Sequence, residues 1–149
     1  MIKYEDIRDV HLEMSTLCNA SCPLCPRNLH GYPYNNGFPE TYLTLAQIKT
    51  IFSEEFVNQL EEIRVNGNFG DFITNPDAID ILTYFRNINR KIKLTITTNG
   101  SARNKQFWRD LAKVNPGVMF CLDGLEDTHH LYRKDTDFHK ILENAKEFI

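Results

Sequence analysis

The chain has 149 residues, 42% hydrophobic and 25% charged, with a net charge of −3 and a pI near 5.9. That is long enough for one domain with its own core, and the acidic balance argues against a nucleic-acid partner. No stretch approaches the roughly 18 apolar residues of a membrane span, and the N-terminal MIKYEDIRDV alternates charged and apolar residues, unlike a secretory signal. A reducing cytoplasm is therefore the expected setting. Clustered cysteines there are metal ligands or redox groups rather than disulfides.

Hydrophobic periodicity sets the elements. Ile7 to Met14 reads as a strand, with Val10, Leu12 and Met14 alternating with polar neighbours. An irregular stretch from His30 to Thr41 follows the cysteines. Thr44 caps a helix, Gln47 completes a capping box, and Leu45, Ile48, Phe52 and Phe56 share its apolar face. Glu62–Asn66 is a second strand. Asn75 and Pro76 start a second helix, as cap and first helical residue, with Ala78, Ile81, Leu82 and Phe85 inward. A third strand, Lys91–Thr98, puts Ile92, Leu94 and Ile96 on one side. A third helix over about Asn104–Val114 buries Phe107, Trp108, Leu111 and Ala112. Pro116-Gly117 ends it, Val118–Leu122 is a fourth strand, and a fourth helix runs from about Asp137. Strands alternating with helices predict a parallel α/β sheet, as an open doubly wound sheet or a barrel. The last helix is still apolar at Phe148-Ile149, so the chain is expected either to stop within a larger unit or to rely on a partner that covers its open edge.

Three of the four cysteines lie in Cys18–Arg27, CNASCPLCPR, with the spacing C-x3-C-x2-C. Three thiolates ligate an iron–sulfur cluster incompletely and leave one iron open. Two zinc readings compete: a four-thiolate site using Cys121, or three thiolates with the imidazole of His30. Cys121 is otherwise expected as a small buried residue of the fourth strand. His129, His130 and His139 are expected on the solvated surface. GNFGD (67–71), TNGS (98–101) and Asp123-Gly124 end the other three strands. Ligand sites of parallel α/β folds form at those ends, so all four loops are expected on one rim.

In this combination the chain resembles the radical S-adenosylmethionine (SAM) superfamily. The cysteine loop is similar to that family's cluster-binding signature. GNFGDFITNPD is similar to its glycine-rich segment, TTNGS and FCLDG to its third and fourth strand ends. Ser101-Ala102-Arg103 with Phe107-Trp108, and the segment Asp123–His129 with Tyr132-Arg133, resemble the subset often fused to SPASM or twitch domains. The resemblance implies the N-terminal part of a catalytic domain. That domain is a partial (β/α) barrel of six units, about four of them present over residues 1–149.

By the same resemblance, Cys18, Cys22 and Cys25 hold three irons of a [4Fe–4S] cluster and SAM chelates the fourth. Gly67, Asn68, Gly70 and Asp71 lie along the SAM methionine, Asn99 and Asp123 belong to its polar shell, and Arg133 pairs with its carboxylate. An external donor such as flavodoxin or ferredoxin supplies the electron that cleaves SAM to methionine and a 5′-deoxyadenosyl radical. The radical then takes hydrogen from a peptide or small-molecule substrate. The chain departs from the family at Leu24, where an aromatic residue is common, at Phe72 in place of proline, and at Cys121 in place of a small polar residue. A non-catalytic iron–sulfur electron carrier or binding protein is the second expectation, and a structural zinc domain the third.

Overall fold

The computed structural model describes residues 3–33, 37 and 39–149. Part of the expected irregular stretch, residues 34–36 and 38, lies outside the described residues. Six strands are β1 (Asp9–Leu12), β2 (Asn28–Leu29), β3 (Tyr32–Pro33), β4 (Glu62–Val65), β5 (Lys93–Thr98) and β6 (Gly117–Phe120). The α-helices among the described residues are α1 (Leu45–Ile51), α2 (Glu54–Gln59), α3 (Ala78–Ile88), α4 (Lys105–Val114), α5 (His129–Tyr132) and α6 (Phe138–Phe148).

Four strands form one parallel sheet in the order β1-β4-β5-β6. The order follows the sequence with no reversal. A doubly wound sheet needs a reversal at its switch point and a barrel does not, so the barrel-like alternative holds. The register lines up Leu12, Val65, Ile96 and Val118 across the sheet. Leu12, Ile63, Val65, Leu94 and Ile96 are buried in one core with Ile48, Ile81, Leu82, Phe85, Trp108 and Leu111 from the helices. Each such side chain contributes roughly 1.5–3 kcal/mol on full burial.

The opposite face carries Glu62, Arg64, Lys93, Thr95 and Thr97. There Arg64 and Lys93 reach the Glu62 carboxylate at 2.9 and 3.3 Å. A sheet covered on both faces reads as continuous apolar runs, whereas this alternation marks one covered face and one polar concave face.

Local chemistry sets the boundaries. Thr44 and Gln47 form the expected capping box on α1. The single helix expected through Phe56 is two, because Ser53 Oγ accepts the Phe56 N–H at 3.2 Å and starts α2. The expected cap of α3 is also displaced. Asp77 occupies that position, while the fully buried Asn75 accepts the Asp77 N–H and donates to the Met14 and Leu43 carbonyls. Asn75 thus ties the chain after β1 to the start of α3. Asn104 and Asp137, the approximate helix starts read from the sequence, are the caps of α4 and α6. The β2–β3 hairpin turns through His30 (φ 54°) and Gly31 (φ 84°), the double positive φ of a tight two-residue turn.

Candidate functional site

A cavity of about 390 Å³ opens where the sheet strands end. Its walls come from the cysteine loop after β1, residues 66–71 after β4, Thr97–Asn99 at the end of β5, Cys121 after β6, and Tyr132-Arg133 after α5. All four cysteines line it and all are free thiols.

The wall after β4 is held by its backbone and by one acid. A Cβ on Gly67 would meet the Gly70 carbonyl oxygen at 1.7 Å, and one on Gly70 would meet the Ser15 oxygen at 2.0 Å. Only glycine permits these approaches. Asp71 is 6% exposed. Its carboxylate accepts from Ile73 N–H (3.2 Å), Thr98 Oγ1 (2.8 Å) and Asn99 N–H (2.7 Å), and its own N–H donates to the Leu17 carbonyl (2.8 Å). Burial raises the Asp71 pKa, against these three donors. One residue therefore joins the chain entering the cysteine loop, through its backbone N–H, to the β5 end, through its carboxylate.

Asn99 extends that link. Its Nδ2 donates to Asn19 Oδ1 (3.0 Å) and reaches Cys18 Sγ at 3.6 Å, while Asn19 Nδ2 donates to Ser101 Oγ (2.8 Å). The Ala20 N–H points at Cys18 Sγ from 3.4 Å. Burial pushes the Cys18 thiol up to about 11 and raises Cys22 and Cys121 as well. Desolvation thus disfavours the thiolates until a cation compensates them. Arg133 supplies part of that charge: its Nη1 lies 3.6 Å from Cys22 Sγ and its Nε donates to the Asp123 carboxylate.

The donor set suits soft metals, iron–sulfur clusters among them. Among the described residues, no three His, Cys, Asp or Glu side chains are gathered closely enough to hold a single metal ion.

The family model of the radical SAM superfamily matches residues 12–149. The chain belongs to the radical SAM superfamily. Native anSMEcpe with bound AdoMet superposes with a TM-score of 0.69 at 18% identity, over 95% of this chain and 40% of its own. BtrN in complex with AdoMet and 2-DOIA gives 0.60 at 14%, over 74% and 43%. HydG, a maturase of the [FeFe]-hydrogenase, gives 0.60 at 16%, over 94% and 32%. At these identities the likeness is one of fold, and this radical SAM chain spans less than half of each. No curated protein matches it in sequence.

The structure brings Cys18, Cys22, Cys25, Gly67, Asn68, Gly70, Asp71, Asn99 and Arg133 to the one cavity. Asp123 stands behind Arg133, outside the lining. His30, the alternative zinc ligand, turns the β2–β3 hairpin and is not among the lining residues. Two expectations need correction. Cys121 is half-buried on the cavity wall beyond β6, because the strand ends at Phe120 and turns the thiol to the rim. His129 is 1% exposed rather than solvated, since the short helix α5 folds it inward against Phe138. His130 and His139 are exposed. Sequence reasoning missed Asn19, whose position between two ligand candidates is the one signal that pointed to it, and gave Thr98 and Tyr132 no role of their own beyond the motifs that contain them.

Proposed function

We propose that this radical SAM chain holds a [4Fe–4S] cluster through Cys18, Cys22 and Cys25 and binds SAM against it. The observation that carries the reading is the meeting of three closely spaced cysteines and the strand-end segments in one cavity. A cluster and SAM held there would supply one-electron radical chemistry for hydrogen abstraction from substrate.

The chain's own part is to bind, orient and exclude water. Cys18, Cys22 and Cys25 from one loop would hold the cluster and leave one position for SAM. The backbone of Gly67, Asn68 and Gly70 is the segment along the methionine, and the two glycines let it pack against backbone carbonyls where a Cβ has no room. Asp71 fixes that segment through its three donors. Asn99 belongs to the polar shell, and Asp123 orients Arg133 within it. Arg133 Nη2 has no hydrogen bond among the described residues and is the group offered to the SAM carboxylate, a pairing that suits a guanidinium fork. The substrate is a peptide or small molecule, the electron donor is of the flavodoxin or ferredoxin class, and the setting is the cytoplasm. Among the described residues no helix is long and apolar enough to cross a membrane.

The test is anaerobic reconstitution with iron and sulfide, followed by SAM and dithionite. Release of 5′-deoxyadenosine, abolished by Cys22→Ala, is the expected result. A fully loaded protein that leaves SAM intact would sink the enzymatic reading and favour a cluster-bearing electron carrier.

A further inference from the structure

The segment after α5 contacts the cysteine loop as well as the cavity. The Lys134 carbonyl accepts the Ser21 N–H at 3.0 Å, and the Lys134 ammonium lies 5.4 Å from the Tyr32 ring centroid. Between these contacts Arg133 reaches Cys22 Sγ with Nη1, at 3.6 Å, while Asp123 holds its Nε.

What aims Arg133 lies beneath it. Thr136 Oγ1 donates to the Arg133 carbonyl at 2.6 Å, so its proton is committed. At 2.8 Å it then accepts from His129 Nε2, which places the imidazole proton on Nε2. Nδ1 is left bare and buried with no partner among the described residues. An unpaired buried acceptor is a cost. It is retained at a histidine whose other nitrogen is locked, through Thr136, onto the residue facing Cys22.

We propose that Arg133, aimed by Asp123 and by the His129–Thr136 lock, donates to the Cys22 thiolate and raises the reduction potential of the iron–sulfur cluster held there. The proposal rests on the cluster reading above. Reduction adds one electron from the external donor to the cluster, with no bond made or broken and no proton moved. The added negative charge is stabilised by N–H donors on the sulfurs and by a nearby fixed cation. The donors are graded: Cys18 receives two neutral ones, from Ala20 and Asn99, and Cys22 receives the one that always carries charge. Arg133 thereby makes the cluster easier to reduce, and the His129–Thr136 pair is its positioning device.

Arg133→Gln and Arg133→Lys, compared with the parent chain, test this without substrate or turnover. Each is reconstituted anaerobically, assayed for iron and sulfide, and titrated potentiometrically with paramagnetic resonance as the readout, in the absence of SAM. The expected result is unchanged iron content with a more negative midpoint potential, the shift larger for Gln than for Lys. A merely structural role would lower iron content or Tm and leave the potential of the assembled cluster in place. A fully loaded Arg133→Gln with the parent's potential overturns the proposal. Where that variant does not load, Arg133→Lys decides by the same criterion. Failure of both to load overturns tuning in favour of assembly. A parent chain that takes up no cluster contradicts the functional reading itself, and this proposal with it.

Discussion

The two walls of the cavity are built on opposite principles. The Gly67–Asp71 wall is overdetermined: two glycines pressed against backbone carbonyls and a buried carboxylate with three donors leave it one arrangement. The cysteine wall is thinly tied. It meets the rest of the fold through the Leu17–Asp71 backbone bond at its entry, the Asn19–Asn99–Ser101 network, the Ser21–Lys134 bond, the Arg27–Glu40 ion pair and the Arg133 contacts, and its tip, Leu24, is 80% exposed. One wall is finished by folding alone. The other is held by few contacts, which is where a bound metal group would add most, since metal binding and folding are commonly coupled.

The sharpest way to break this contrast is at the finished wall. Gly70→Ala drives a Cβ into the Ser15 carbonyl at 2.0 Å. It should cost more than the ~3 kcal/mol of ordinary overpacking, read as loss of soluble protein or a collapse of Tm, whether or not iron is supplied. Asp71→Asn is next. The amide can accept but presents a donor to at least one of Ile73 N–H, Thr98 Oγ1 and Asn99 N–H, and the loss should be about 3 kcal/mol, measured by chemical denaturation of the metal-free chain.

At the thinly tied wall, Asn19→Ala removes two side-chain hydrogen bonds. It should lower stability by about 1 kcal/mol yet speed the loss of bound iron to a chelator more than that figure suggests. An equal effect of Asn19→Ala and Asp71→Asn on metal-free stability would erase the distinction between the walls.

The smallest effect is a pH slope. Burial, then the Arg133 charge, holds His129 below its usual 6.5, and Asp123, His130 and Asp137 also face it. Between its folded pKa and 6.5, the folded state binds fewer protons than the unfolded one. Stability is therefore full above 6.5 and falls as the pH drops through that window. Denaturation between pH 7.5 and 5.5 should show a shallower fall for His129→Gln than for the parent chain.

Much of the scaffold was legible because it obeys short-range rules. Ile92, Leu94 and Ile96 alternate, and Ala78, Ile81, Leu82 and Phe85 repeat with helical period, so β5 and α3 could be read directly. What resisted reading depends on distant partners. Ser53 interrupts a helical run because its hydroxyl caps a new helix. Asn75 looked like a cap, yet its amide is spent on carbonyls at positions 14 and 43. His129 sits in a polar stretch, and its burial follows only from the packing of α5 on Phe138. In the site, the cysteine spacing was local and visible. The joining role of Asp71 was not, since two of its three donors come from the end of β5, 27 and 28 residues away.

The central claim is that three thiolates hold a cluster with one iron left for SAM. Paramagnetic resonance of the anaerobically reconstituted, reduced chain, recorded with and without SAM, tests it most directly. The account predicts a [4Fe–4S] signal that changes on adding SAM, survives Cys121→Ser, and disappears with Cys18→Ala, Cys22→Ala or Cys25→Ala. A signal indifferent to SAM, or one lost with Cys121→Ser, would show four protein thiolates around a closed cluster and contradict it.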